Sequence, residues 1–262
     1  MEKFCFCFDI DGTLYPSNHV ISKRTLETIE KLREKGHKIV VATGRNLSSV
    51  EKSGLLEQVQ FDALVLNNGQ CVLNDKGEVI YAKYMPTDLV WEIIDVCGTN
   101  GIVCSLETVN DWFCVQQPNE YVKITHDFFR ETAPHQGEYN PSMKIIMAMA
   151  YAPKGYDYTP LKEIEGLNVD IGNSCYADLG LKGFHKYKGI EKCLEYFDLT
   201  KTVCFGDGSN DVEMIRHATI GIAMGQSIEQ VKEVSDFVTK NCDDDGIVYA
   251  CENYGFIKNG LS

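Results

Sequence analysis

Several short apolar runs in this chain do not alternate with polar residues, and the first of them, Phe4-Cys5-Phe6-Cys7-Phe8, stands near its amino end. A run of that kind predicts a strand covered on both faces, as in a parallel sheet flanked by helices. The same texture recurs in Lys38-Ile39-Val40-Val41-Ala42, in Ala63-Leu64-Val65-Leu66 and, far downstream, in Val203-Cys204-Phe205-Gly206 and Ile220-Gly221-Ile222-Ala223. Helical spacing lies between the runs. Ser22 as a cap, Leu26, Ile29 and Leu32 on one stripe, and Gly36 as a stop predict a helix through Lys35, and further helices are expected near 188–197 and 212–217. The first three strands end in Asp9, in Thr43-Gly44 and in Asn67-Asn68-Gly69, so each delivers a polar group or glycine to one edge, as a doubly wound sheet predicts.

From about Glu78 to Gly183 the pattern changes. Segments 79–84, 102–107, 112–116 and 144–151 mix polar and apolar positions with turn residues between them, which predicts antiparallel strands, and helices are expected near 88–97 and 158–165. Aromatics here, such as Trp112, Phe113 and Tyr121, are expected to fill a small core. The first texture then returns. An α/β core of Rossmann-like, doubly wound parallel type over 1–82 and 185–262, interrupted by an inserted α+β domain over 83–184, accounts for that order.

A chain of 262 residues is long enough for one large domain or two modest ones. Its formal charge of -13 argues against general affinity for nucleic acid or anionic membranes, so an anionic ligand would need a locally positive pocket. Neither a signal pattern nor a membrane span stands out, and the eleven cysteines follow no framework. Reduced, mostly buried thiols and a cytoplasmic location are expected. Cys5 and Cys7 share a strand face but lack the two further ligands that zinc needs, and the six histidines show no metal-binding spacing.

The candidate chemistry begins at Asp9-Ile10-Asp11-Gly12-Thr13, which puts two carboxylates at the mouth of the first strand, with Gly12 permitting a sharp turn. A simple turn with a helix cap is the plainer alternative. The returning strand, however, ends in Asp207-Gly208-Ser209-Asn210-Asp211, so four acids point to one edge. Like charges in a desolvated cleft disfavour one another's ionisation unless a cation joins them, and oxygen-only ligands suit Mg²⁺. The plainer reading of Asp207 and Asp211 is that they flank a helix start.

These motifs together make the chain resemble the phosphatases of the haloacid dehalogenase superfamily, in the Cof-type branch with a large inserted cap. Asp9 to Thr13 matches the first family motif, Thr43-Gly44-Arg45 the second and Gly206 to Asp211 the fourth. The third is a lysine: Lys186 is assigned, with Lys188 as its rival, because the Ser-Lys-Gly common in the branch is replaced by His185-Lys186-Tyr187. Asn68 and Gly69 resemble a family turn, and Asp244-Asp245-Gly246 is also typical, with a helix-capping role expected.

The resemblance implies that Asp9 attacks phosphorus to form an aspartyl-phosphate, while Asp11 protonates the leaving alkoxide and later activates water. Mg²⁺ would sit on Asp9, the carbonyl of Asp11 and Asp207, with Asp211 as ligand or supporting partner. Thr43 and Asn210 would donate to the phosphoryl group, Lys186 would neutralise charge, and Arg45, after Gly44, would contact substrate or pair with an acid. The implied activity is Mg²⁺-dependent hydrolysis of a small phosphorylated metabolite, sugar phosphates first, with the cap closing over the substrate. The alternatives are a phosphosugar mutase of the same superfamily and a non-catalytic binding protein, and the expected assembly is a monomer or small homo-oligomer.

Overall fold

The structure is a computed structural model that describes residues 2–16 and 18–258. The chain opens with β1 (Cys5–Phe8), α1 (Lys23–Glu34), β2 (Lys38–Ala42), the short helices α2 (Leu47–Lys52) and α3 (Leu55–Gln58), β3 (Ala63–Leu66), β4 (Cys71–Asn74) and β5 (Val79–Ala82). Next come α4 (Thr87–Thr99), β6 (Val103–Glu107), β7 (Trp112–Cys114), α5 (Glu120–Phe129), β8 (His135–Gln136), β9 (Met147–Tyr151), α6 (Thr159–Lys162), β10 (Leu167–Ile171) and β11 (Tyr176–Leu181). It ends with α7 (Lys186–Phe197), β12 (Thr202–Gly206), α8 (Val212–His217), β13 (Ile220–Ala223), α9 (Glu229–Val234), β14 (Phe237–Val238) and α10 (Gly246–Asn253). These elements form two compact units, one of Met1–Gly44, Leu56–Tyr81 and His185–Ser262, the other of Arg45–Leu55 and Ala82–Phe184.

The first unit is built on an eight-stranded sheet in the order β14-β13-β12-β1-β2-β3-β4-β5. Pairing is parallel from β14 to β3 and antiparallel between β3 and β4. β1 lies near the middle, and its lack of alternation has a direct cause. Cys5 and Cys7 pack with Val40, Val65, Ile190 and Met214 in one layer, while Phe6 and Phe8 meet the rings of Phe256 and Phe205. Both faces are apolar because both are covered. Helix α1 starts where expected, the Ser22 side chain accepting from the Thr25 N–H.

The change of pattern near Glu78 begins within this sheet: Val79–Ala82 is its edge strand, beside β4. Val79 is 45% exposed, and an edge strand wetted on one side carries a mixed pattern.

The second unit holds a six-stranded sheet ordered β10-β11-β9-β6-β7-β8, antiparallel except for the parallel pair β7–β8. Leu89, Val90, Ile93 and Cys97 of α4 follow helical spacing into its core, which also contains Phe113. The ten-residue α5 is not among the elements expected from sequence, because its buried residues Val122, Thr125 and His126 include two polar ones. Among the described residues no helix is long and apolar enough to cross a membrane. All eleven cysteines are free and, Cys242 apart, buried.

Candidate active site

Asp9 leaves β1 with its N–H on the carbonyl of Phe205, and its side chain is buried at the sheet edge. The chain then turns tightly: the Gly12 N–H donates to the carbonyl of Tyr15, and the Tyr15 N–H to that of Ile10. Asp11 lies exposed on this turn. Gly12 has a φ of +83°, and a Cβ there would fall 2.3 Å from Asp207 Oδ2, so both conformation and space require glycine. The two acidic loops touch through that missing side chain.

Beyond β12, Asp211 organises its own loop. Its Oδ2 accepts from the Asp207 N–H at 2.9 Å and the Gly208 N–H at 3.0 Å, while Oδ1 receives Lys186 Nζ at 2.7 Å. Lys186 also reaches Asp9 Oδ1 at 2.5 Å and is fully buried. It opens α7, which comes close to the turn after β3 through glycines: a Cβ on Gly69, whose φ is +94°, would meet the His185 carbonyl at 2.3 Å. Lys188, by contrast, is exposed and pairs with Glu191. Of the two candidate lysines, only Lys186 joins the acids.

Carboxylate oxygens of Asp9, Asp207 and Asp211 lie within 4.8 Å of one another, and the Asp11 carboxylate is not part of that group. Burial, followed by the charge of Asp211, raises the Asp9 carboxyl well above the usual range. The same two causes push Asp207 up to about 7. Burial pulls the Lys186 ammonium down, but Asp211 and Asp9 outweigh it and hold the group above its ordinary value. Three acids against one ammonium leave an excess of negative charge, and an all-oxygen donor set with such an excess fits a hard divalent cation. Since both oxygens of Asp211 are already engaged, Asp9 and Asp207 are the better placed direct ligands.

Thr43 follows β2, buried, with its N–H on the carbonyl of Val65 and its carbonyl accepting from the Asn68 N–H. Asn210 Nδ2 donates to Asn68 Oδ1 at 3.1 Å, and a Cβ on Gly44 would lie 3.2 Å from that same oxygen. Thus Gly44, Asn68 and Asn210 meet, with Asn68 in the turn noted from the family resemblance. Arg45 belongs to the second unit, where it donates to Ser49 at 3.1 Å, lies 3.8 Å from Glu131 and stands over the Phe129 ring. Glu131 continues to His126 at 3.0 Å, and His126 to Tyr151 at 3.0 Å, a buried polar chain without any local sequence signal. Asp245 gives no side-chain cap to α10, contrary to the capping role expected for the acidic trio. It accepts instead from Ser22 and Arg24 at the start of α1. Gln226, which no motif marks, also reaches the acidic loops.

A mainly parallel α/β sheet with paired acidic loops and a buried lysine at its carboxyl edge, interrupted by an α+β unit, defines a class of hydrolases. Residues 6–251 match the haloacid dehalogenase-like hydrolase family, and the chain belongs to it. YkrA of Bacillus subtilis strain 168, named as a candidate phosphatase, is 28% identical over 262 residues, covering 98% of this chain and 100% of its own length. From the same organism, the 5-amino-6-(5-phospho-D-ribitylamino)uracil phosphatase YitU is 24% identical over 268 residues, covering 97% and 98%. The solved structure of the HAD subclass IIB sugar phosphatase BT4131 is similar with a TM-score of 0.87 at 32% identity, covering 98% of this chain and 100% of that one. The chain is an enzyme of this phosphatase type, a hydrolase of phosphoric monoesters.

Proposed function

We propose that this chain is a Mg²⁺-dependent phosphomonoesterase that hydrolyses a small phosphorylated metabolite, sugar phosphates first, through an aspartyl-phosphate on Asp9. One observation carries the reading: Asp9 lies in a buried cluster with Asp207 and Asp211, its Oδ1 2.5 Å from the Lys186 ammonium. The carboxylate of Asp9 attacks phosphorus while the ester oxygen departs with a proton from Asp11, an exposed group able to exchange protons with solvent. Asp11 then takes a proton from water, which attacks the acyl phosphate, releases inorganic phosphate and restores Asp9. Lys186 offsets charge on the nucleophile and the phosphoryl oxygens, and Thr43 and Asn210 donate hydrogen bonds to those oxygens. A Mg²⁺ ion on Asp9, Asp207 and the Asp11 carbonyl would let an anionic nucleophile approach an anionic substrate. The inserted unit, over 83–184, selects the leaving group.

Support for sugar phosphates comes from the likeness to a named sugar phosphatase. The test is phosphate release across sugar phosphates, nucleotides and pyridoxal phosphate, in Mg²⁺ and in EDTA, for wild type and Asp9→Asn. The substitution is expected to lower turnover roughly 10⁴-fold or more. Near-normal turnover by Asp9→Asn, or full activity in EDTA, would sink the reading, and an isomerised sugar phosphate without free phosphate would mark a mutase.

A further inference from the structure

Gln226 lies in the turn that follows β13, exposed, yet its side chain is bonded through both amide atoms. Nε2 donates to the Gly12 carbonyl at 2.5 Å and Oε1 accepts from the Cys242 N–H at 3.0 Å, while the amide stands near enough to the Asp207 carboxylate to favour its charged form. One amide, donating and accepting at once, thus ties the first acidic loop to the loop before α10, beside the second acidic loop. Fixing a glutamine costs side-chain freedom, which an exposed glutamine left to solvent would keep. Next to it, the Cys242 thiol donates to the Thr13 carbonyl at 2.9 Å. The two carbonyls that follow Asp11 are therefore both held by side chains reaching from outside the turn.

This tether answers a local weakness. Gly12 gives up its Cβ to let Asp207 approach, which leaves the most freely moving residue of the turn against the carboxylate that must stay in place. Nothing in the Gly12 side chain can fix the distance between the loops. A bridging amide can.

We infer that Gln226 is a positioning residue, which holds the Gly12 turn and the Asp207 carboxylate in the spacing that the cation requires without touching a reacting atom. The inference rests on the Mg²⁺-dependent reading above. Gln226→Ala removes the whole bridge, whereas Gln226→Glu keeps shape and the acceptor for Cys242 but loses the donor to Gly12.

The experiment follows thermal unfolding of wild type and both variants in EDTA and over a Mg²⁺ series, alongside steady-state kinetics. For both variants, the Mg²⁺ concentration giving half the wild-type thermal shift is expected to rise about 10–100-fold, the usual effect of losing a partner of a metal ligand. Turnover should fall with KM for the phosphate ester within about twofold, and unfolding in EDTA should stay within a few degrees of wild type, since Gln226 is exposed. A wild-type half-point in Gln226→Glu, or lowered stability in EDTA with an unchanged half-point in both variants, overturns the inference while leaving the Mg²⁺ reading intact. No Mg²⁺ shift in the wild-type protein overturns both.

Discussion

A lysine that opens a helix faces the positive end of the helix dipole, so Lys186 stands where a cation is least favoured. Burial adds a second cost, and the ion pairs with Asp9 and Asp211 offset them. Lys186→Met fills comparable volume but leaves two carboxylates buried without their partner. The expected loss is about 3–5 kcal/mol of stability, the scale for breaking a buried ion pair from one side. Urea unfolding in EDTA measures it, and a loss below about 1 kcal/mol would mean that solvent reaches the acids freely. Because the acids left behind repel each other, added Mg²⁺ is expected to recover part of that loss.

At the scale of elements, β1 is secured at its start by a histidine. The Phe4 N–H donates to His37 Nδ1 at 3.1 Å, and the imidazole is packed among the rings of Phe4, Phe6 and Phe256. Burial, then Lys35 and Lys3, lowers its pKa. The native state therefore binds fewer protons than the unfolded chain, and stability falls as pH drops below the ordinary histidine value of about 6.5. Melting temperatures between about pH 5 and pH 8 should show this fall in wild type and a smaller one in His37→Asn, which offers an acceptor without titrating. The remainder belongs in part to His185, whose pKa burial also lowers.

The same elements explain what was legible beforehand. Strands β1, β2, β3, β12 and β13 announced themselves because two covered faces demand unbroken apolar runs. Helix α5 did not, since its inward face carries Thr125 and a His126 bonded to Glu131 and Tyr151 in place of an apolar stripe. Asp9, Asp207 and Asp211 were legible because acids clustered at the ends of two apolar strands are a compositional signal, whereas Lys186, which the structure brings to them, was reached through the family resemblance, with Lys188 as its rival. Asn68 and Gln226 work through side-chain amides between loops distant in sequence, and a single amide leaves no spacing to read.

For the whole molecule, the two units have separate cores, and all the clustered acids belong to one of them. A ligand that binds only the native form stabilises what it binds, by about 2.7 kcal/mol at a hundredfold excess over its dissociation constant. Calorimetry in Mg²⁺ and in EDTA is expected to show the sheet unit carrying β1 shift upward by about 5–10 °C, with the inserted unit's transition left in place. A common shift of all the heat absorption would mean that the two cores unfold as one.

β1 pairs with β2 on one side and with β12 on the other, Cys5 aligning with Thr202. On a ribosome, one edge of that apolar strand must therefore wait for a partner made about 200 residues later, a delay of roughly 10–40 s at ordinary elongation rates. Through that interval one edge of β1 stays unpaired and sticky, open to chaperones and to other nascent chains. Placing Asp9 at the end of a strand near the middle of the sheet means that a segment made before its partner is among the last to be safely enclosed.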